Sequence, residues 1–190
     1  AAEAWEICNK KISEPSMSAR NIIRKSNVET ICTTDDPVDT LEWHKKIAED
    51  PTIDVVVGPS YRPDKAVALE KPDYLEYLAK LGNIDSYDKL VAVLKEKLEF
   101  FVKCGCRVTD HGVDAVPYAE ATIEEVEAIF AKRLAGELPT ALEAKQFKTA
   151  LMQALAKEYA RHGLVMQLHF GVIRDNSKRL FRKLGLLWYY

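Results

Sequence analysis

Four segments of the chain each join a short, apolar, β-rich run to a polar stretch: ICTTDDP (31–37), DVVVGPSYRPDK (54–65), GCRVTDHG (105–112) and LVMQLHFGVIRDN (164–176). Runs with helical spacing lie between them. Strand and helix alternating in this way build a parallel sheet, because each return to a parallel strand needs a crossover connection. In a parallel barrel all strand C-termini open on one face, where loops carry chemical groups while the strands stay buried. The four polar stretches are therefore expected to gather at one site.

The pattern predicts a helix over 1–12, with Ala4, Ile7, Cys8 and Ile12 on one side, and a second over 18–26 begun by Ser18. Val28 to Thr34 reads as a strand stopped by Asp-Asp-Pro, and Thr40 to Ala48 as a helix. Ile53 to Val57 is an apolar strand expected to end at Gly58-Pro59. Helices follow over about 73–81 and 86–103, the second with a broad apolar face of Leu90, Val93, Leu94, Leu98, Phe101 and Val102. Cys106 to Thr109 starts a third strand. Thr122 with Glu125 has the capping-box spacing and starts a helix to about Leu134. Another runs from Pro139-Thr140 to about His162, with Gly163 as its C-cap. Leu164 to His169 is the fourth strand, and Asn176 to Leu184 fits a short helix. The 190 residues are read as a single unit, with 1–26 a helical lead-in, 28–176 the strand-helix repeats and 177–190 an atypical tail. Four strands are fewer than the eight of a closed barrel and leave two edges unpaired. The expected fold class is α/β, a partial (β/α)8 TIM barrel of about four parallel strands with flanking helices.

At 47% hydrophobic, the chain can bury a sizeable core. A net charge of −2 with acids and bases interspersed gives no basic stripe for nucleic-acid phosphates, so a small, soluble partner is expected. Cys8, Cys32, Cys104 and Cys106 form neither a C-x-x-C pair nor a disulfide framework and are read as structural thiols of a cytoplasmic protein. No apolar run reaches the roughly 18–20 residues that span a bilayer, and the first residues lack the order of a secretion signal, so no membrane association is expected.

The order of the four segments resembles the uronate isomerase (glucuronate isomerase) family, a branch of the amidohydrolase superfamily built on a (β/α)8 barrel. SARNIIRKSNVETICTTDDP (18–37) is similar to that family's helix-strand-loop, and PSYRPDK (59–65), GCRVTDHG (105–112) and MQLHFGVIRDN (166–176) resemble its next three blocks in order. Four spaced blocks over roughly 170 residues are far more specific than one short motif. The resemblance implies aldose-ketose isomerisation of D-glucuronate to D-fructuronate and of D-galacturonate to D-tagaturonate. It also implies a divalent metal, zinc, in the full-length family, held by a His-x-His pair on the first barrel strand and an Asp on the last. No His-x-His occurs in the chain, and the tail LGLLWYY departs from the family's continuation. The chain is accordingly read as the central portion of such an enzyme, without the main metal ligands, inactive by itself and able to form a homo-oligomer.

Isomerisation moves a proton between neighbouring carbons while charge builds on the oxygens, and a uronate adds a permanent carboxylate. Arginine suits that carboxylate because its planar fork donates two charge-assisted hydrogen bonds. Arg62, in a Pro-flanked loop, is the first candidate, its alternative being a surface arginine paired with Asp64. Arg174, beyond the fourth strand, is a candidate for substrate oxygens or for ordering its loop. Asp36, with Asp35, can meet sugar hydroxyls or cap the following helix, with Asp36 the better cap. Asp110 and His111 are the catalytic candidates, since an acid can set the tautomer of an imidazole, although neighbours in a strand point to opposite sides. His169 ends an apolar strand and is kept as a substrate-site residue rather than a metal ligand. His44 and His162 fit packing or capping, and Trp43 and Tyr61 fit either a sugar wall or the core.

Two other classes compete. One is a non-catalytic folded module that self-associates through its open edges, and the other is a metal-dependent hydrolase of the same superfamily, which would need a metal-activated water. The TTDDP and YRPDK blocks argue against the second.

Overall fold

The computed structural model describes residues 2–171 and 176–185. Among them four strands form one parallel sheet in chain order: β1 (Thr30–Asp35), β2 (Val56–Tyr61), β3 (Val108–Val113) and β4 (Val165–Phe170). The helices, in chain order, are α1 (Ala2–Ile12), α2 (Ala19–Lys25), α3 (Glu42–Ala48), α4 (Asp64–Val67), α5 (Tyr74–Leu81), α6 (Tyr87–Lys103), α7 (Ile123–Leu134), α8 (Ala141–Arg161) and α9 (Lys178–Leu184). The partial barrel of parallel strands with flanking helices is the architecture expected from the alternation.

Local chemistry starts the longer helices where it predicts. Ser86 Oγ accepts the Lys89 N–H at 3.2 Å to open α6. Reciprocal capping boxes, Thr122 with Glu125 and Thr140 with Glu143, open α7 and α8. The helices bury one stripe each: Leu90, Leu94, Leu98 and Phe101 from α6, and Phe147, Leu151, Leu155 and Tyr159 from α8. Phe147 sits at the centre, stacked on Phe130 at 5.7 Å and edge-on to Tyr87 and Tyr74 at 5.8 and 6.5 Å. The buried Arg133 of α7 donates to the carbonyls of Leu69, Lys71 and Pro72, which fastens the segment after α4 to this core.

Three of the boundaries that differ from the expectation shape the site. β2 does not stop at Gly58-Pro59 but continues to Tyr61. Val56 and Arg62 donate their N–H groups to Glu29 and Asp35 beside β1, so the alternate residues 57, 59 and 61 turn toward β3. Pairing with β3 begins only at Ser60, so the missing N–H of Pro59 interrupts no ladder bond. β3 runs through Asp110, His111 and Gly112 instead of ending before them, because it pairs with β4 along its whole length. The third difference is at α3, which starts at Glu42 after Leu41 in the left-handed region (φ 53°). Asp36 is therefore not its cap; its Oδ1 accepts the Val38 N–H at 3.1 Å in a local turn.

Register assigns the faces of the sheet, since residues paired across parallel strands point the same way. Tyr61 pairs with Thr109, both fully buried, and faces the helices: its ring lies 5.1 Å from Phe101 and its hydroxyl donates to the Leu94 carbonyl at 2.9 Å. Tyr61 is thus a core residue and not a sugar wall. Trp43 is exposed, with the Lys46 ammonium 4.1 Å from its ring centroid. Asp110, Gly112, Gln167 and His169 share the opposite, open face.

Candidate active site at the strand ends

Arg62, Asp64, Asp110 and His169 meet at the C-terminal ends of three adjacent strands. Arg62 follows β2 directly, and its N–H donates to the Asp35 carbonyl at 2.9 Å, which ties the start of the loop to β1. Its side chain donates from Nε to Asp64 Oδ2 at 2.7 Å, and its Nη1 lies 3.3 Å from Asp110 Oδ2. Asp110 in turn holds His169, whose Nδ1 lies 2.9 Å from Asp110 Oδ1, while Gln167 Nε2 donates to the same oxygen at 3.3 Å. Asp110 and Gln167 are register partners, as are Gly112 and His169, so β3–β4 pairing itself sets these contacts.

The carboxylate partner fixes the imidazole. Nδ1 of His169 faces the Asp110 carboxylate, an acceptor, and Nε2 is left toward the open face. That nitrogen sits above Gly112, where a Cβ would lie 2.9 Å from it and 2.5 Å from Arg62 Nη2. Arg62 Nη2 has no hydrogen bond among the described residues, although Nε and Nη1 are both committed to carboxylates. One guanidinium facing two carboxylates holds the cluster in a charge-assisted network with a donor edge and an imidazole nitrogen presented side by side.

His111 is placed differently. Its ring is 1% exposed and packs on the helix side against Tyr159, at 5.6 Å between centroids. Burial holds its protonation below the ordinary histidine range, opposed by the charges of Asp64 and Asp110. It reaches the site only through Asp64, with Nδ1 3.8 Å from Oδ1. The imidazole that Asp110 touches is therefore His169 and not its sequence neighbour, because adjacent strand residues point to opposite faces. Asp36 lies on the same rim one strand away, accepting from the Tyr77 hydroxyl at 2.8 Å with the Lys65 ammonium 3.4 Å from Oδ2. Arg174 falls outside the described residues. His44 belongs to a separate contact behind β1, its Nε2 2.7 Å from Thr33 Oγ1.

Sequence reasoning named Asp64 only as a possible partner of Arg62 and passed over Gly112 and Gln167. The Arg-Pro-Asp spacing carried a signal, since proline fixes the turn between the two charges; Gln167 had none beyond its place in an apolar strand. Among the described residues no group of three or more His, Cys, Asp or Glu side chains could hold a metal ion. Asp110 and His169 are turned toward each other, and Asp110 toward Arg62, which does not fit a metal held by these residues. No helix among the described residues is long and apolar enough to cross a membrane.

A family model described as glucuronate isomerase matches residues 1–187. The chain is 55% identical over 188 residues to a uronate isomerase of Lachnoclostridium phytofermentans, covering 96% of this chain and 40% of that protein. It is 50% identical to a uronate isomerase of Lachnospira eligens, covering 97% of this chain and 41% of that protein. The crystal structure of a uronate isomerase from Thermotoga maritima superposes with a TM-score of 0.87 at 33% identity, covering 97% of this chain and 42% of that one. The chain thus spans about 40% of the length of the curated relatives it matches.

Proposed function

The chain belongs to the glucuronate isomerase family, and from that premise we propose that it supplies the sugar-acid pocket of an aldose-ketose isomerase acting on D-glucuronate, and on D-galacturonate, in the cytoplasm. The observation that carries this reading is the joining of Arg62, Asp110 and His169, from the ends of three consecutive strands, into one bonded group on the open face. The open Nη2 edge of Arg62 takes the uronate carboxylate. His169 presents Nε2 to a sugar hydroxyl, accepting its proton or returning one as the carbonyl shifts between neighbouring carbons, while Asp110 holds the tautomer. Asp36 borders the same rim for the remaining hydroxyls. His111 lies behind these groups and acts through Asp64. A divalent metal, zinc, would be held by residues other than this cluster and would polarise the sugar oxygens.

The family match leaves no support for a hydrolase. A second reading, a folded module without activity that associates through its edges, draws on the open face of the sheet, where Val56 and Val165 are 64% and 66% exposed. One assay separates the two. The chain alone, and the chain replacing the aligned stretch of the Lachnoclostridium phytofermentans relative, are incubated with glucuronate and divalent metal and fructuronate is measured. Turnover in the exchanged protein is the expected result. A soluble, folded exchange protein that binds no glucuronate would leave the module reading standing.

A further inference from the structure

We propose that Asp64 is a positioning residue, a carboxylate brace that ties the Arg62 loop to the end of β3, and that position 112 must be glycine for the brace to close. The inference rests on the reading of Arg62 as the uronate-binding arginine and adds how that side chain is aimed.

A single oxygen, Asp64 Oδ2, takes two donors: the Arg62 Nε–H at 2.7 Å and the Gly112 backbone N–H at 3.0 Å. Asp64 itself stands in the first turn of α4, directly after Pro63, so the acceptor is carried by a short, pinned segment. The two donors lie 50 residues apart, one in the loop after β2 and one in β3, and this shared oxygen joins the Arg62 side chain to the Gly112 backbone. Without the brace a long arginine side chain would sample many rotamers before meeting a substrate; with it, that ordering is complete beforehand.

Gly112 is required for space and not for backbone freedom, since its φ is not among the positive values of the chain. A Cβ there would meet Arg62 Nη2 at 2.5 Å, His169 Nε2 at 2.9 Å and Asp64 Oδ2 at 3.4 Å. Three polar groups, two that follow β2 and one from the end of β4, converge over one α-carbon, and a side chain there would displace the ends of the arginine and the imidazole that the site brings together.

The test uses the 190-residue chain and needs no sugar. Hydrogen exchange of the Arg62 Nε–H and the Gly112 amide is followed by NMR in the wild type, Asp64→Ala, Asp64→Asn and Gly112→Ala, with the Leu94 amide as a core reference. Asp64→Ala is expected to speed exchange at both sites together by about tenfold, the loss of a charge-assisted hydrogen bond. Asp64→Asn, which keeps one acceptor oxygen, restores part of the protection, and Gly112→Ala releases the Arg62 Nε–H. Leu94 stays protected throughout. Unchanged exchange at Arg62 in Asp64→Ala, or a silent Gly112→Ala, would overturn the brace. Either result leaves the uronate role of Arg62 standing, whereas loss of that role in a sugar assay leaves the coupled exchange intact, so the two failures are distinguishable.

Discussion

The two faces of the sheet differ in what they hold. On the helix side Tyr61, Phe101, Phe130, Phe147, Leu151 and Leu155 are fully buried, and aromatic rings meet edge-on or stacked at 5.1 to 5.8 Å between centroids. On the open side Val56 and Val165 are mostly exposed, the alternate β1 residues Thr30, Cys32 and Thr34 are exposed too, and the groups that bond one another are charged. Parallel strands are normally covered on both faces. The asymmetry teaches that fold stability comes from one face while the groups suited to chemistry stand on the other, so substitutions should separate the two properties.

The largest effect expected is at the aromatic centre. Phe147→Ala removes a fully buried ring from among Tyr74, Tyr87 and Phe130 and should cost about 3–5 kcal/mol in urea unfolding. Val165→Thr on the open face should stay within about 0.5 kcal/mol. Similar costs at the two positions would erase the contrast between the faces.

A smaller effect sharpens it, because the helix face also holds the buried imidazole of His111. Burial lowers the proton affinity of His111, so below the ordinary histidine pKa of about 6.5 the unfolded chain takes up a proton that the folded chain refuses. Stability should therefore fall as pH drops through about 6.5, by at most about 1.4 kcal/mol per pH unit for one proton, and the fall should end at the folded pKa. Urea midpoints at pH 7.5 and 5.5 for the wild type and His111→Gln measure it; the variant should lose less on acidification, and an equal loss would place the histidine in water. A further effect is local. Thr140→Ala opens the capping box of α8 and should cost about 1 kcal/mol, wherever the helix packs.

Much of the fold was legible because its signals are local. Ser18, Ser86, Thr122 and Thr140 start helices through their own hydroxyls, and the apolar stripes of α6 and α8 have the period of one buried face. What was not legible depends on partners far along the chain. β2 passes through Pro59 because β3 has not yet joined it there, and β3 keeps Asp110 and His111 because β4 pairs beside them. The same holds for the site. Arg62, Asp110 and His169 could each be named from strand-end position, but the pairing of Asp110 with His169, and the double acceptor at Asp64, are set by register across strands. Tyr61 went to the core because β2 runs past Gly58-Pro59 and the parity of the strand turns residue 61 toward the helices.

The central claim is that the open face binds a sugar acid by its carboxylate through Arg62. Its most direct test is the dependence of isomerisation rate on glucuronate concentration in the exchanged protein, with Arg62 and with Arg62→Ala. KM should rise by about tenfold to a hundredfold, the loss of a charge-assisted contact from Nη2, with a smaller change in kcat. An unchanged KM in a folded, active variant would contradict it.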